Sequence, residues 1–430
     1  MLSVDEALSR CLDTVPDVQE ESIPLSEAYG RVLAEDIRAA SPLPPWDNSA
    51  MDGFAIRAID TESLPAVVDV DVCGPNPAQG VSGPWLRIVD TVAAGQVSEL
   101  TVQPGQAIRI MTGAPMPSGA DAVVMRENAT CSDDQRSVQI HRKATAGQNI
   151  RFQGEDVSKE TTVLATGDTL HPAAVGLCAS VGKERVIVAR RPTVAIIATG
   201  DEIVPPGTTL KPGQIHSSNT HALMGLVQES GGIPVDCGIA PDNLKATQDA
   251  FRAAMTCDLI LSTGGVSVGD YDLVREAMLQ EGAAMQFWKI KVKPGKPLAM
   301  GMIGDVPAFG LPGNPVSCQV GFLQFVRPWI RMKLGSNTPF LPVVKATLSG
   351  DLHKRPGRAE FVRVTLEWTA TGLRATSTGS QGSGQQTSMV AAQGFAMLPE
   401  ESAGAQDGQI VDVQLIREPV LPGATPRYPW

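Results

Sequence analysis

Acids and glycine-rich turns recur at the positions where an open α/β sheet binds its ligands. Thr199-Gly200-Asp201-Glu202 follows an apolar run at 193–198, and Asp242 follows a second at 233–239. A third run at 259–262 leads into Ser262-Thr263-Gly264-Gly265-Val266-Ser267-Val268-Gly269-Asp270-Tyr271-Asp272, and Leu311-Pro312-Gly313-Asn314-Pro315 comes later. Ligands of such sheets sit outside the carboxyl ends of the strands, so these turns share one rim. Successive amides in a glycine-rich loop that opens a helix form an anion nest. Asp270 or Asp272 can cap that helix or hold a divalent cation, and both uses fit the sequence. Taken singly, each acid reads as a helix cap or a solvated loop residue. Clustered beside a phosphate nest, acids are how proteins hold Mg²⁺, which combines a few carboxylates with waters and phosphate oxygens.

A second constellation is Phe287-Trp288-Lys289-Ile290-Lys291-Val292-Lys293-Pro294-Gly295-Lys296-Pro297. Period-two alternation over a single strand sends Lys289, Lys291 and Lys293 to one face, and Pro294-Gly295 turns Lys296 back toward them. Two readings are open, a lysine-protected edge strand and an anion clamp. The Gly-Lys pair lacks the frame of a Walker A loop, and the five histidines and seven cysteines show no zinc spacing.

The elements that must position these residues are regular only in the middle of the chain. From 191 to 335 strands at 193–198, 233–239, 259–262 and 285–292 alternate with helices at 219–229, 244–255 and 273–280, which predicts a doubly wound, mostly parallel sheet. Asn314 and Pro315 supply an N-cap and first-position proline for a long helix through Met332. Residues 1–45 and 147–190 read as an elongated scaffold, with helices at 3–12 and 173–181. Residues 46–146 read as a small β-rich domain of short strands broken by Gly and Pro, and 336–430 as a C-terminal β domain. In the latter, Gly379-Ser380-Gln381-Gly382-Ser383-Gly384 reads as a flexible linker or a binding loop. The predicted class is therefore multidomain α/β.

Composition narrows the function. At 430 residues the chain exceeds one ordinary core, and its net charge of −11 argues against a general nucleic-acid binder. No apolar run reaches the ~20 residues of a membrane helix, and the start lacks the basic and apolar regions of a secretory signal. A cytoplasmic protein with buried free thiols is expected.

Asp47-Asn48-Ser49-Ala50-Met51-Asp52-Gly53-Phe54-Ala55, Ile110-Met111-Thr112-Gly113-Ala114, the loop from Ser262 to Asp270, Lys293-Pro294-Gly295-Lys296-Pro297 and Leu311-Pro312-Gly313-Asn314-Pro315 together closely resemble the molybdopterin molybdenumtransferase family, the MoeA proteins and gephyrin E domain. Pro356-Gly357-Arg358 and Gln381-Gly382-Ser383 extend the resemblance into the last domain, so it covers nearly the whole chain. Phe54 stands where the family often has Tyr, and Gln393 where Asn commonly precedes Gly.

The resemblance implies a homodimer with composite active sites. The implied reaction is molybdate insertion into adenylylated molybdopterin, with hydrolysis and release of AMP and with Mg²⁺ assisting. Glu202, Asp242 and Asp272 are then the cation-site acids, and Lys293 and Lys296 the anion contacts. Asp52 and Thr112 reach the site from the other subunit. Cofactor contacts are expected from Thr199, Gly200, Asp201, Ser262, Gly264, Gly265, Ser267, Gly269, Pro312, Gly313, Asn314, Pro315, Arg358 and Ser383. Partners would be the molybdopterin adenylyltransferase and downstream cofactor-maturation proteins. The rival functions are a peptide-binding scaffold like the gephyrin E domain and a related adenylylating enzyme.

Overall fold

Thr193–Thr199 is buried at every position but the first, as a strand of Val, Ala and Ile covered on both faces must be. It lies inside a six-stranded sheet, pairing in parallel with Ile233–Ala240 on one side and Leu259–Thr263 on the other. Val306–Leu311 extends the parallel set, pairing with Leu259–Thr263 from Ile260↔Ala308 to Thr263↔Leu311. Beyond it the sheet turns antiparallel, through Pro297–Ile303 and then Ala284–Lys289. The cause is local: only Gly304 and Asp305 separate Ile303 from Val306, and a two-residue connection makes a hairpin. The computed structural model describes residues 1–64, 83–265 and 273–418.

Helices Asn219–Glu229, Leu244–Ala254 and Leu273–Gln280 flank this sheet. A continuous helical run then spans Pro315–Gly321, a π-helical Phe322–Val326 and Arg327–Lys333. Its residues are apolar nearly all round and correspondingly buried, with Trp329 and Phe322 fully enclosed. The N-terminal helix Val4–Leu12 packs here too, Ala7 and Cys11 joining the same buried cluster as Val194, Leu261 and Trp329. A capping box starts it: Ser3 Oγ accepts from the Glu6 N–H and Glu6 Oε2 from the Ser3 N–H.

Residues 20–38 and 162–189 pair with each other. Glu20–Pro24 runs antiparallel to Arg185–Ala189, and Ile37–Arg38 antiparallel to Thr162–Leu164, around a core that includes Ile37, Leu170 and Val188. Between these segments lies a second six-stranded sheet, in which Gly53–Ile56 is flanked by Gln106–Ile110 and Ala122–Met125. At the other end of the chain, Ala359–Thr369, Gly372–Ser377, Val343–Ser349, Ile410–Leu415 and Gly394–Leu398 pair in succession and close back on Ala359–Thr369. The result is a small barrel without exposed edges on those strands.

The lysine-bearing segment departs from a single strand over 285–292. The strand ends at Lys289, and Val292–Lys293 pairs instead with Ala359 and Glu360 of the barrel. The Lys291 N–H donates to Leu2 O and its carbonyl accepts from Ala359, so the N-terminus and the barrel take the hydrogen bonds a continuing sheet would have used. The expected alternation of faces survives this change of partner, since Ile290 and Val292 are buried and Lys289, Lys291 and Lys293 are partly exposed.

Candidate functional site

At the carboxyl ends of the parallel strands lies a cleft of about 890 Å³. Thr199, Gly200 and Glu202 line it after the first strand, Asp242 after the second, and Thr263, Gly264 and Gly265 after the third. Pro312, Gly313, Asn314 and Pro315 close it from the last parallel strand. The sheet topology thus gathers segments more than a hundred residues apart in sequence on one rim.

Glycine is required in this cradle. Gly264 and Gly265 take φ of +99° and +63°, and a Cβ on Gly264 would lie 2.4 Å from Thr199 O. One on Gly265 would lie 2.9 Å from Thr199 Oγ1. A Cβ on Gly313 would stand 3.5 Å from Gly264 Cα, so the two glycine turns face each other. Ser267, Gly269 and Asp272 lie outside the described residues.

Two carboxylates are tied together on the rim. Asp201 N–H donates to Asp242 Oδ2 at 3.3 Å, and Asp242 N–H donates to Asp201 Oδ1 at 3.0 Å. Asp201 lines the adjoining cavity of about 600 Å³, while Asp242 lines the main cleft. Glu202 folds back over Gly200, where a Cβ would meet its Oε2 at 2.6 Å. Among the described residues no three His, Cys, Asp or Glu side chains are grouped to hold a metal.

The polar atoms left without partners are as informative as the acids. Thr199 Oγ1 and Asn219 Oδ1 are buried and make no hydrogen bond among the described residues, and both residues line the cleft. Asn219 is oriented by its amide, which donates to Thr263 Oγ1 and to Gly313 O, each at 2.8 Å. A buried acceptor without a donor is costly, and both stand in the wall of the cleft. Sequence reading took Asn219 only as a helix start. The available signal was the polar run Ser217-Ser218-Asn219, since Ser218 occupies the N-cap position without making a side-chain cap.

Other expected residues are placed apart from the lining. Ser262 is fully buried inside its strand, its hydroxyl 3.5 Å from Phe309 O. Lys293 donates to both Glu360 oxygens, and Lys291 pairs with Glu400 at 2.7 Å, so two of the four lysines expected to converge are held by carboxylates. Lys296 precedes Pro297, which does line the cleft. Ser383 contributes its carbonyl, accepting the Val316 N–H at 3.0 Å and so capping the helix that starts at Pro315. Asn314 sits at that N-cap position but makes no side-chain cap.

The segment around Ser383 is held rather than loose. Arg363, fully buried, donates through Nη2 to Ser380 O and Gly382 O, each at 3.2 Å, while Gln381 bonds to both the N–H and the carbonyl of Arg363. Of the two readings for 379–384, the flexible linker fails. Gly384 and Gln386, just beyond, line the cleft, and Gln386 Nε2 donates to Ser218 Oγ at 3.0 Å. Arg358, near the barrel's join with Val292–Lys293, is half-buried.

Asp52 and Thr112 meet, but elsewhere. Thr112 donates through its N–H and its hydroxyl to Asp52 Oδ1, each at 2.7 Å. The backbone bond first and the hydroxyl second hold the Asp52 carboxyl below its usual range. The pair is exposed, in the turns beside strands Gly53–Ile56 and Gln106–Ile110, and neither residue lines the cleft of its own chain.

A sheet of this topology with a glycine-cradled cleft at its carboxyl ends, joined to a closed barrel, has the build of a molybdopterin-biosynthesis protein. Residues 195–332 match a family described as a probable molybdopterin binding domain, 2–182 the MoeA N-terminal region (domain I and II), and 345–416 the MoeA C-terminal region (domain IV). Molybdopterin molybdenumtransferase of Bacillus subtilis is 36% identical over 420 residues, covering 97% of this chain and 94% of the relative. Molybdopterin molybdenumtransferase 2 of Mycobacterium tuberculosis is 38% identical over 398 residues, covering 90% and 93%. The molybdopterin biosynthesis MoeA crystal structure from Pyrococcus horikoshii superposes with a TM-score of 0.78 at 32% identity, covering 96% of this chain and all of that one. The chain belongs to the molybdopterin molybdenumtransferase family.

Proposed function

We propose that this protein completes the molybdenum cofactor, inserting molybdate into adenylylated molybdopterin with hydrolysis of the anhydride and release of AMP. The observation that carries the reading is the cleft itself. Two left-handed glycines bring the backbone to the rim beside two carboxylates, in a cleft of about 890 Å³ whose walls include the polar residues Thr199 and Asn219.

The donor set suits Mg²⁺ in kind, because Glu202 and Asp242 supply hard carboxylate oxygens and leave coordination positions for water and phosphate; Asp272 is the third proposed donor. Bound there, Mg²⁺ would supply charge neutralisation at the leaving phosphate. Asp201 fixes Asp242 through their reciprocal bonds. Gly264, Gly265 and Gly313 admit the phosphates close to the main chain. Lys296, with no carboxylate partner among the described residues, attracts the molybdate dianion, while Lys293 adds its field from beside Glu360.

The active unit is a homodimer whose sites are composite. In support, Asp52 and Thr112 form an ordered, exposed pair that has no role in the cleft of its own chain. The division of labour follows the proposed domains: 1–45 with 147–190 as scaffold, 46–146 presenting Asp52, 191–335 holding molybdopterin, and 336–430 presenting Arg358 and Ser383. We place the protein in the cytoplasm, receiving substrate from a molybdopterin adenylyltransferase and passing product to cofactor-maturation proteins. Among the described residues no helix is long and apolar enough to cross a membrane.

The deciding experiment is AMP release from adenylylated molybdopterin with and without molybdate. Release that requires molybdate is expected. AMP release at equal rate without it, or none with it, would overturn the reading.

A further inference from the structure

At the opposite end of the α/β sheet, where the N-terminal segment packs against it, lies a cavity of about 420 Å³ lined by Arg31, Arg191 and Arg331. Arg191 precedes the strand Thr193–Thr199 and the cleft follows it, so about 25 Å of extended chain separates the two. Three guanidinium groups on one small cavity are unusual in a chain of net charge −11.

Their charges are unequally met. Arg31 pairs with Glu21 and also donates to Ala189 O. Arg191 donates to the carbonyls of Gly231 and Gly232 at 2.9 and 2.8 Å, and no carboxylate pairs with it among the described residues. Arg331, only 8% exposed, reaches among the described residues just the hydroxyls of Thr169 and Ser336, and its buried Nε has no partner among them. Burial pushes the pKa of both Arg191 and Arg331 down. The one carboxylate in the lining, Glu229, is exposed.

The conservative account is that these arginines complement the carboxyl ends of helices Asn219–Glu229 and Arg327–Lys333. That interaction is modest at a helix terminus, whereas taking a guanidinium out of water is costly unless its donors are met. Helix ends meet Arg191 through the Gly231 and Gly232 carbonyls, but bring no carbonyl to the Arg331 side chain among the described residues.

We propose that this cavity is a binding site for a tetrahedral dianionic oxyanion, with Arg191 and Arg331 as its principal ligands and Arg31 at its edge. Guanidinium groups suit phosphate-like oxygens, Nη1 of both Arg191 and Arg331 is without a hydrogen bond among the described residues, and the volume admits either an inorganic anion or the phosphoryl group of a small ester. The site is separate from the cleft and needs none of the cleft residues.

Binding of inorganic phosphate and of glycerol phosphate to the full chain, measured by isothermal titration calorimetry against chloride at matched ionic strength, tests this. One saturable site is expected, weakened about tenfold or more in Arg331→Gln and in Arg191→Gln and kept in Lys296→Ala. If Arg331→Gln does not fold, Arg191→Gln and Arg331→Lys decide, the latter keeping charge but losing the fork. Inorganic phosphate binding alone identifies a free oxyanion as the ligand class, and tighter glycerol phosphate binding identifies an ester. No saturable binding above the chloride control, or binding that survives both arginine substitutions, overturns the proposal and leaves the arginines as helix-end partners.

Discussion

Lys293 donates to both carboxylate oxygens of Glu360, at 3.1 and 3.2 Å, and so ties the lysine turn to the first residues of the barrel's longest strand. Glu360 is 8% exposed, so the lysine neutralises a charge that would otherwise be buried alone. Lys293→Ala should therefore cost stability, about 1–3 kcal/mol, as well as raise the molybdate requirement. Lys296→Ala should raise the molybdate requirement with little change in stability. Denaturant unfolding beside a molybdate titration of AMP release separates the two, and equal stability losses in both variants would refute this division.

Arg363 is the second keystone. It lies under the Ser380–Gly382 backbone, and the same loop gives the Ser383 carbonyl to the Val316 N–H at the rim of the cleft. Arg363→Met removes the donors to two carbonyls and to Ser388 Oγ, which should cost about 2–4 kcal/mol. Amide exchange at Val316 should quicken more than exchange in the central strand Thr193–Thr199. Unchanged exchange at Val316 would mean that the loop holds its position without the arginine.

Why some of this was legible and some was not follows from the length scale of each cause. The helix Asn219–Glu229 has the bounds its periodicity predicts, because one buried face, Thr220, Leu223 and Val227, dictates the pattern locally. The acids and glycines of the rim were legible because the strand ends themselves place them. Lys291 pairing with Glu400 was not, since the partners are over a hundred residues apart in sequence. Composition could not distinguish a linker from a bound loop at 379–384 either. The difference lies in Arg363, a charged residue at a strand position where a barrel interior ordinarily takes an apolar one.

The Asp52–Thr112 contact has a pH signature. Its folded pKa is lowered, so the contact's contribution to stability is present above the unfolded carboxylate value and is lost as pH falls through the folded one, in the acid range below about pH 4. Thr112→Ala removes the hydroxyl bond and leaves the larger backbone bond. The Asp52 carboxyl should then titrate higher than in the parent, though still below its ordinary value, by carbon NMR of the side chain. Stability should fall more at neutral pH than near pH 3, where the parent has already lost part of the contact. An unchanged Asp52 titration would show that the hydroxyl bond is absent in solution.

Asp242 is the cleft acid with which a composite site can be tested. It lines the cleft of one chain, while Asp52 in the same chain does not. If each site takes Asp52 from one subunit and Asp242 from the other, Asp52→Ala and Asp242→Ala homodimers should both be nearly inactive in AMP release. Asp242→Asn serves as a folding control, because the amide keeps an oxygen acceptor for the Asp201 N–H. In a two-fold symmetric dimer, random subunit exchange between the two alanine variants makes roughly half the dimers mixed. Each mixed dimer carries one doubly damaged site and one intact site, so activity should recover to roughly a quarter of the parent's on that symmetry argument. Co-expression with two different tags isolates the mixed dimer and confirms the exchange. Tandem-purified mixed dimers that remain inactive would place the whole site within one subunit, and would return Asp52 to the turn that its bonds with Thr112 already hold in place.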